Sequence, residues 1–329
     1  MPLLLTQTAA FLSPKFDSCQ IQGFIYNRLI LSERALSCMA RLKTAKVTAV
    51  NIKIQPDHNP EMYIRLLELL LKEKVIAPIQ GHDRLMIAFS YPQEANKAIL
   101  QGFIITFTDL DKDTTWINIS DMIKVSADQI PEIPDNLKPN ARIHAFIFDS
   151  VSHLMLLLLD KRSVNSICKG LQNLCSDQRI IEKFGSVDIE TVKDIQYIND
   201  IIEMSNEQLN SLKITISLPN PEDLSETKMR IVERYKQAKI KKVEHNEKAL
   251  PGGMALSDET RALLYISADN GSAVATGRRC GKNEKISTVA HPMQISFPYD
   301  SSKNSVYQEF GKNADAIFRD IQTQRKNDV

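Results

Sequence analysis

Asp188, Glu190 and Lys193 come closest in this chain to a catalytic constellation. Two-metal phosphodiester chemistry needs carboxylates around a cation and a lysine near the attacking group. On a strand, Asp188-Ile189-Glu190 puts both carboxylates on one face, and alternation sends Lys193 to the other. The spacing is out by one residue, so the segment reads as an exposed, charged strand face.

Histidine offers no alternative. His58, His82, His245 and His291 sit in separate loop-like contexts, and no HxH or HxxxH occurs. Pairing Phe148 with His153 in a hairpin puts His144 on the face of His153. The two are then four residues apart along the ladder, roughly 13 Å, too far to share a metal. His144 reads as a partly buried histidine on a sheet edge. No metal, cofactor or catalytic residue is expected: the chain lacks GxxxxGK[ST], a GxGxxG after a strand, and GxSxG.

The five cysteines form no CxxC pair, which fits free thiols in a reducing compartment. Cys168 and Cys175 lie two turns apart on one expected helix, roughly 10 Å, beyond the reach of a disulfide. They read as small core residues.

Basic residues carry the strongest binding signal. Between Lys228 and Lys242 stand seven cations (Lys228, Arg230, Arg234, Lys236, Lys239, Lys241, Lys242) and one acid, Glu233, a local charge of +6. Such a stretch can neutralise a phosphate backbone. It also fits a solvated helix complementing its own dipole, because Glu222, Asp223 and Glu226 precede it. A second cluster, Arg278, Arg279, Lys282 and Lys285, crowds a hairpin tip beside Gly277 and Gly281, where backbone can approach a phosphate closely. Arg230, Arg234, Lys241, Arg278, Arg279, Lys282 and Lys285 are therefore the candidate nucleic-acid contacts. Phe103, Phe107, Phe146 and Phe148 alternate on strands, which suits core packing better than base stacking.

Composition leaves these readings open. The 329 residues carry 41 basic and 40 acidic side chains, so net charge favours no polyanion. The longest apolar run, Leu154–Leu159, is far short of the roughly 20 residues that cross a bilayer. Met1–Ala10 lacks a basic start and a full apolar stretch, so no signal peptide is expected. The expectation is a cytoplasmic protein with no membrane contact.

The elements that must position these residues follow from periodicity. Residues 1–135 read as a mixed α and β region. Ile21–Ile30 is a strand there, and Ser32 caps a helix to Leu42. Val50, Ile52 and Ile54 share one face of a strand, with Asn51 and Lys53 pointing away. Asn59-Pro60-Glu61 opens a helix through Lys74 that buries Met62, Leu66, Leu67, Leu69 and Leu70. Leu85–Ser90, Gly102–Thr108 and Thr115–Ile119 are further strands, followed by an extended linker around Ile130–Asp135. Residues 136–221 read as a ββαβαβ sandwich: Arg142–Phe148, His153–Asp160, helix Ser163–Phe184, Val187–Val192, helix Ile195–Met204 and Leu212–Leu218. All its strands are expected in one sheet, with Ile143, Ala145 and Ile147 buried beside Leu154, Leu156 and Leu158. Residues 222–329 begin with a long basic helix from Ser225 to about Lys248. After the breaker Pro251-Gly252-Gly253, a turn at Asp269-Asn270-Gly271 leads to the hairpin Ser272–Arg278 with Lys285–Ala290. A last helix spans Ser305–Gln324. The fold class is α+β, with mixed or antiparallel sheets.

Gly102-Phe103-Ile104-Ile105-Thr106-Phe107-Thr108, Trp116, Asn136-Leu137-Lys138-Pro139-Asn140, His153, Leu218-Pro219-Asn220-Pro221-Glu222-Asp223, Asn270-Gly271 and His291-Pro292 together resemble a bacterial family of domains of unknown function, the one numbered 4747. The resemblance spans nearly the whole chain and brings no activity or active site. It implies a bacterial protein of an accessory or phage-defence locus. The leading expectation is a non-catalytic protein that contacts nucleic acid, DNA or RNA, through its basic C-terminal elements. A metal-dependent nuclease or other phosphodiesterase with an unfamiliar site is the alternative, and a scaffold or inhibitor of a protein from the same locus is the third.

Overall fold

A computed structural model describes residues 42–327 apart from 56–58, 94–97, 110–115, 119, 121–122, 126–133, 135, 160–162 and 220–223. The strand Ile21–Ile30, most of the helix at Ser32 and most of the Ile130–Asp135 linker lie outside the described residues. The architecture is α+β, as expected, with a long C-terminal helix.

The first part contains β1 (Leu42–Gln55), α1 (Pro60–Lys72), β2 (Ala77–Gln80), β3 (Asp83–Pro92) and β4 (Ile99–Thr108). The short ladder β5 (Trp116–Asn118) and β6 (Ile123–Val125) follows. Helix α1 starts as its residues dictate, with Asn59 Oδ1 accepting from the Met62 N–H at 2.9 Å and Pro60 in the first turn. It buries Tyr63, Leu66, Leu67 and Leu70, while Met62 and Leu69 are only half-buried.

The middle part contains β7 (Arg142–Asp149), β8 (Leu154–Leu158), α2 (Val164–Cys175), α3 (Gln178–Phe184), β9 (Ser186–Thr191), α4 (Ile195–Glu207) and β10 (Gln208–Ser217). This is the expected succession of elements, with the first helix broken at Ser176-Asp177. The expectation of one sheet fails, however. Strands β7, β8 and β9 join the large sheet, whereas β10 joins a second one. The reason lies in α4, whose apolar face (Ile198, Ile201, Met204) packs on Leu209, Leu212 and Ile214 of β10. That packing starts a separate core.

The last part contains α5 (Glu226–Gln237), β11 (Lys242–Lys248), α6 (Asp258–Asn270), β12 (Gly271–Arg279), β13 (Lys282–Ser287), β14 (Ile295–Asp300) and α7 (Val306–Asn327). The long basic helix stops at Gln237; Lys242–Lys248 is an edge strand on β10. Asp269-Asn270-Gly271 is no hairpin turn. It ends α6, which Ser257 caps through the Thr260 N–H at 3.1 Å. Gly271 is required by close approach, since a Cβ there would stand 1.9 Å from the carbonyl oxygen of Thr215.

The large sheet runs β14-β1-β8-β7-β4-β3-β2, and the second runs β11-β10-β12-β13. Strand β1 carries two neighbours in tandem on one side: its first half pairs with β14 and its second half with β9. Sheet membership therefore cuts across the three blocks read from the sequence. Both faces of the large sheet are covered. On one, Ile52, Phe146, Phe148 and Met155 meet α1, α2 and α3, burying Cys168 and Cys175. On the other, Ala45, Val47, Ala49, Ala145, Ile147 and Leu156 meet Phe310, Ala314, Ile317 and Phe318 of α7. Ile143, expected among them, is 36% exposed at the end of β7. Phe107, Phe146 and Phe148 are buried, as core packing requires. Among the described residues no helix is long and apolar enough to cross a membrane.

Candidate functional site

The face of β1 that sends Val47 and Ala49 against α7 continues as Asn51 and Lys53. There the cover changes from α7 to the second sheet, and both polar side chains are buried. Asn51 Nδ2 donates to Asn270 Oδ1 at 3.0 Å, and Lys53 Nζ to the Ser217 carbonyl at 3.4 Å. Across the ladder, Asn51 stands opposite Glu190 and Lys53 opposite Asp188. One polar seam thus joins the two sheets.

A cleft of about 480 Å³ opens beside this seam. Its ammonium groups come from Lys193, Lys241 and Lys242, its carboxylates from Asp188 and Glu190, and its hydroxyls from Thr191, Thr215, Ser217 and Ser272. Asn165, in the first turn of α2, lines it as well, and among the described residues no aromatic side chain does.

Lys193 keeps to the Thr191 side of β9, away from the face of Asp188 and Glu190: its Nζ bonds Thr191, whose partner across the ladder is Val50. Strand β9 itself ends at Thr191. The Lys193 backbone turns to donate to the Ala268 carbonyl at 2.7 Å, and its side chain lines the same cleft as Asp188 and Glu190. Because β9 pairs with β1 alone among the described residues, residues from both of its faces line one cleft.

The charges in the seam are mutually adjusted. Burial pushes the Lys53 amine down to about 8, against the pull of Glu190, Asp188 and Asp269. Burial likewise holds the Lys193 amine below the usual lysine range, with Glu190 opposing; its Nζ donates to the Thr191 carbonyl at 2.8 Å and to the Thr191 hydroxyl. Lys241 Nζ lies 3.8 Å from Asp188 Oδ1 and donates to Ser186 Oγ at 2.8 Å. The other carboxylate oxygen, Asp188 Oδ2, is buried and without a hydrogen-bond partner among the described residues. Ser217 Oγ donates to Glu190 Oε1 at 3.4 Å. Cys168 borders the cleft, but burial pushes its thiol up to about 12, so it is no nucleophile at neutral pH. Among the described residues no three His, Cys, Asp or Glu side chains could hold a metal ion together.

The basic residues singled out in the sequence separate into two places. Lys242 pairs with Ser217 at one end of β10, and Arg278 with Gln208 at the other. The two pairings are nine positions apart along β10, roughly 30 Å, so the two clusters form no common patch. Lys241 belongs to the cleft. Arg230 is tied to Glu226, and Arg234 to Glu259 of α6. Lys228 is buried, 5.3 Å from the ring centre of Tyr265. At the hairpin tip, Arg279 faces three carboxylates: Asp200 at 2.6 Å, Glu284 at 3.0 Å and Glu203 at 3.7 Å. Arg278 Nε donates to the Gly281 carbonyl at 3.0 Å, and Glu207 accepts from the Cys280 N–H at 2.7 Å. Lys282 and Lys285 are both exposed.

His144 and His153 are structural. His144 is no edge residue: it is fully buried, on a strand flanked by β4 and β8, with Nε2 3.3 Å from Thr106 Oγ1. The β7–β8 register is Asp149 to Leu154, so His153 falls in the turn, its ring centre 4.4 Å from that of Tyr63.

Sequence reasoning missed Lys53, Thr215 and Ser272. A lysine on the polar face of an alternating strand reads as solvated, and only the second sheet buries it. A family model describing a domain of unknown function matches residues 43–315. No curated protein matches the sequence.

Proposed function

The chain belongs to the DUF4747 family, and from that premise we propose that the protein binds nucleic acid through phosphate contacts at the cleft between β9 and the end of the second sheet. One observation carries this reading: Lys193, Lys241 and Lys242 converge on a cleft lined with hydroxyls and lacking aromatic rings. Ammonium and hydroxyl donors suit phosphate oxygens, and the missing rings remove base stacking. Lys241 and Lys242 face Asp188 at 3.8 Å and Glu244 at 3.3 Å, whereas Arg230, Arg234 and Arg279 are engaged with carboxylates at closer range and contribute less. The wider setting, a cytoplasmic protein of a bacterial accessory or phage-defence locus, rests on cysteine usage and on the family resemblance alone.

Replacing Lys241 and Lys242 together with alanine is expected to weaken binding of all sequences about tenfold at low salt, and to lower the salt slope by about 2. Fluorescence anisotropy over a salt series, with DNA, RNA and heparin side by side, measures both. A triple Arg278, Arg279 and Lys282 to alanine variant is the comparison, and it should bind like the parent. If that variant loses affinity and the Lys241/Lys242 variant does not, the contact surface lies at the hairpin tip. A parent protein that binds no nucleic acid even at low salt favours the scaffold reading.

A second reading, phosphodiester cleavage, is favoured by the entry of Lys193 into the cleft of Asp188 and Glu190. The two carboxylates with a substrate phosphate and waters could hold a magnesium ion. Incubating labelled strands with and without magnesium or manganese, for the parent and Glu190→Gln, decides it. Cation-dependent products that Glu190→Gln abolishes would establish cleavage; intact strands would leave binding alone.

A further inference from the structure

The cleft also restricts which phosphate it can take, and this step rests on the nucleic-acid reading above. Its cations are graded in depth. Lys241 and Lys242 keep 61% and 55% of their side chains exposed at the rim, whereas Lys193 is 5% exposed at the floor. The volume of about 480 Å³ falls among pockets that enclose a small ligand, about 300–1,000 Å³. A groove that follows a strand over about 4–16 nucleotides is a different shape.

Charge points the same way. A phosphodiester inside a strand carries a single negative charge, and the chain must leave the site in two directions. A terminal phosphate monoester carries about −1.5 to −2 at neutral pH and can enter a pocket from one side. The first turn of α2 contributes Asn165 to the wall, so the positive end of that helix adds to the lysines. The carboxylates fit the same ligand: Asp188 and Glu190 line the cleft, and a carboxylate can accept from a sugar hydroxyl.

We infer that the cleft receives the phosphate-bearing end of a single nucleic-acid strand, with Lys193 at the terminal phosphate and Lys241 and Lys242 on the phosphates that follow. The ligand class is a strand with a phosphate monoester at one end. Which end carries it is for the experiment to distinguish.

Three otherwise identical single-stranded oligonucleotides test the assignment: one with a 5′-phosphate, one with a 3′-phosphate and one with hydroxyls at both ends. One phosphorylated strand is expected to bind at least about tenfold tighter than the hydroxyl strand. Inorganic phosphate should compete for that difference on the unaltered protein. Lys193→Met should erase the preference; because this lysine is buried, its variant is first compared with the parent by thermal melting. If it fails to fold, the competition experiment carries the test by itself. Equal binding of all three strands overturns the inference and leaves the nucleic-acid reading standing. Binding of none, at low salt, overturns that reading as well. A preference that survives in folded Lys193→Met, or that phosphate does not compete away, removes the assignment to this cleft.

Discussion

Replacing Arg325 with alanine is expected to lower the unfolding free energy by about 3–5 kcal/mol, the range for removing one partner of a buried ion pair. Arg325 stands near the end of α7, 7% exposed at its side chain, with Nε 2.9 Å from Asp269 Oδ2 at the end of α6. Its Nη1 donates to the Ser152 carbonyl in the β7–β8 turn at 3.3 Å, and its own carbonyl accepts from Lys228 Nζ of α5 at 3.4 Å. Arg325 thus ties the last helix to α5, to α6 and to a turn of the large sheet. Truncation leaves Asp269, only 17% exposed, facing the lysines of the seam without its guanidinium. Urea denaturation followed by circular dichroism gives the change directly. Arg325→Lys should lie between parent and alanine, because it keeps the charge and loses the fork. Arg230→Ala is the contrast, since its Glu226 partner is exposed and such pairs contribute little. An Arg325→Ala midpoint that moves no further than that of Arg230→Ala would show that the ion pair contributes little net stability.

Stability should also climb on the alkaline side, because of Lys53. Burial holds its amine at about 8 in the folded protein, against 10.5 for an ordinary lysine. Below pH 8 the amine is protonated in both states, and the cost of burying the charge is carried in full. Between pH 8 and about 10.5 the folded protein has lost this proton while the unfolded chain retains it, so the unfolding free energy rises with pH. The difference of 2.5 pH units corresponds to about 3 kcal/mol at 1.36 kcal/mol per unit. Other groups titrate in the same window, so the quantity to follow is the stability of the parent minus that of Lys53→Met. It should increase by about 3 kcal/mol from pH 7 to pH 10.5. A difference that stays level with pH would mean that Lys53 is hydrated in solution and titrates normally.

Local signals carried much of the fold. The order Asn59-Pro60-Glu61 specified a helix start in its own backbone chemistry, and alternation in β7 and β8 separated the Ile147 and Leu156 face from that of Phe148 and Met155. What local signals could not carry was partnership. The apolar stripe of α4 announces a buried face but not which sheet covers it, so β10 was assigned to the wrong one. Lys242–Lys248 has charges in every register and no apolar stripe, and its strand character comes from pairing with β10. The site divided in the same way. Asp188 and Glu190 were legible because two-residue spacing holds inside β9. That Lys193 shares their cleft from the opposite face was not legible, because it depends on β9 being an edge, and the burial of Lys53 was not, because its cover lies more than 160 residues away, at Ser217.

Strand β1 has a consequence for how this chain is made. Leu42 pairs with Asp300, 258 residues later (300 − 42). At a translation rate of about 5–20 residues per second, the start of β1 leaves the ribosome about 10–50 seconds before its neighbour on that side exists. Throughout that interval its hydrogen-bonding edge is open to any other nascent strand. Lys43 and Lys46, both exposed along the segment that β14 will cover, place charge where such a mistaken neighbour would have to lie.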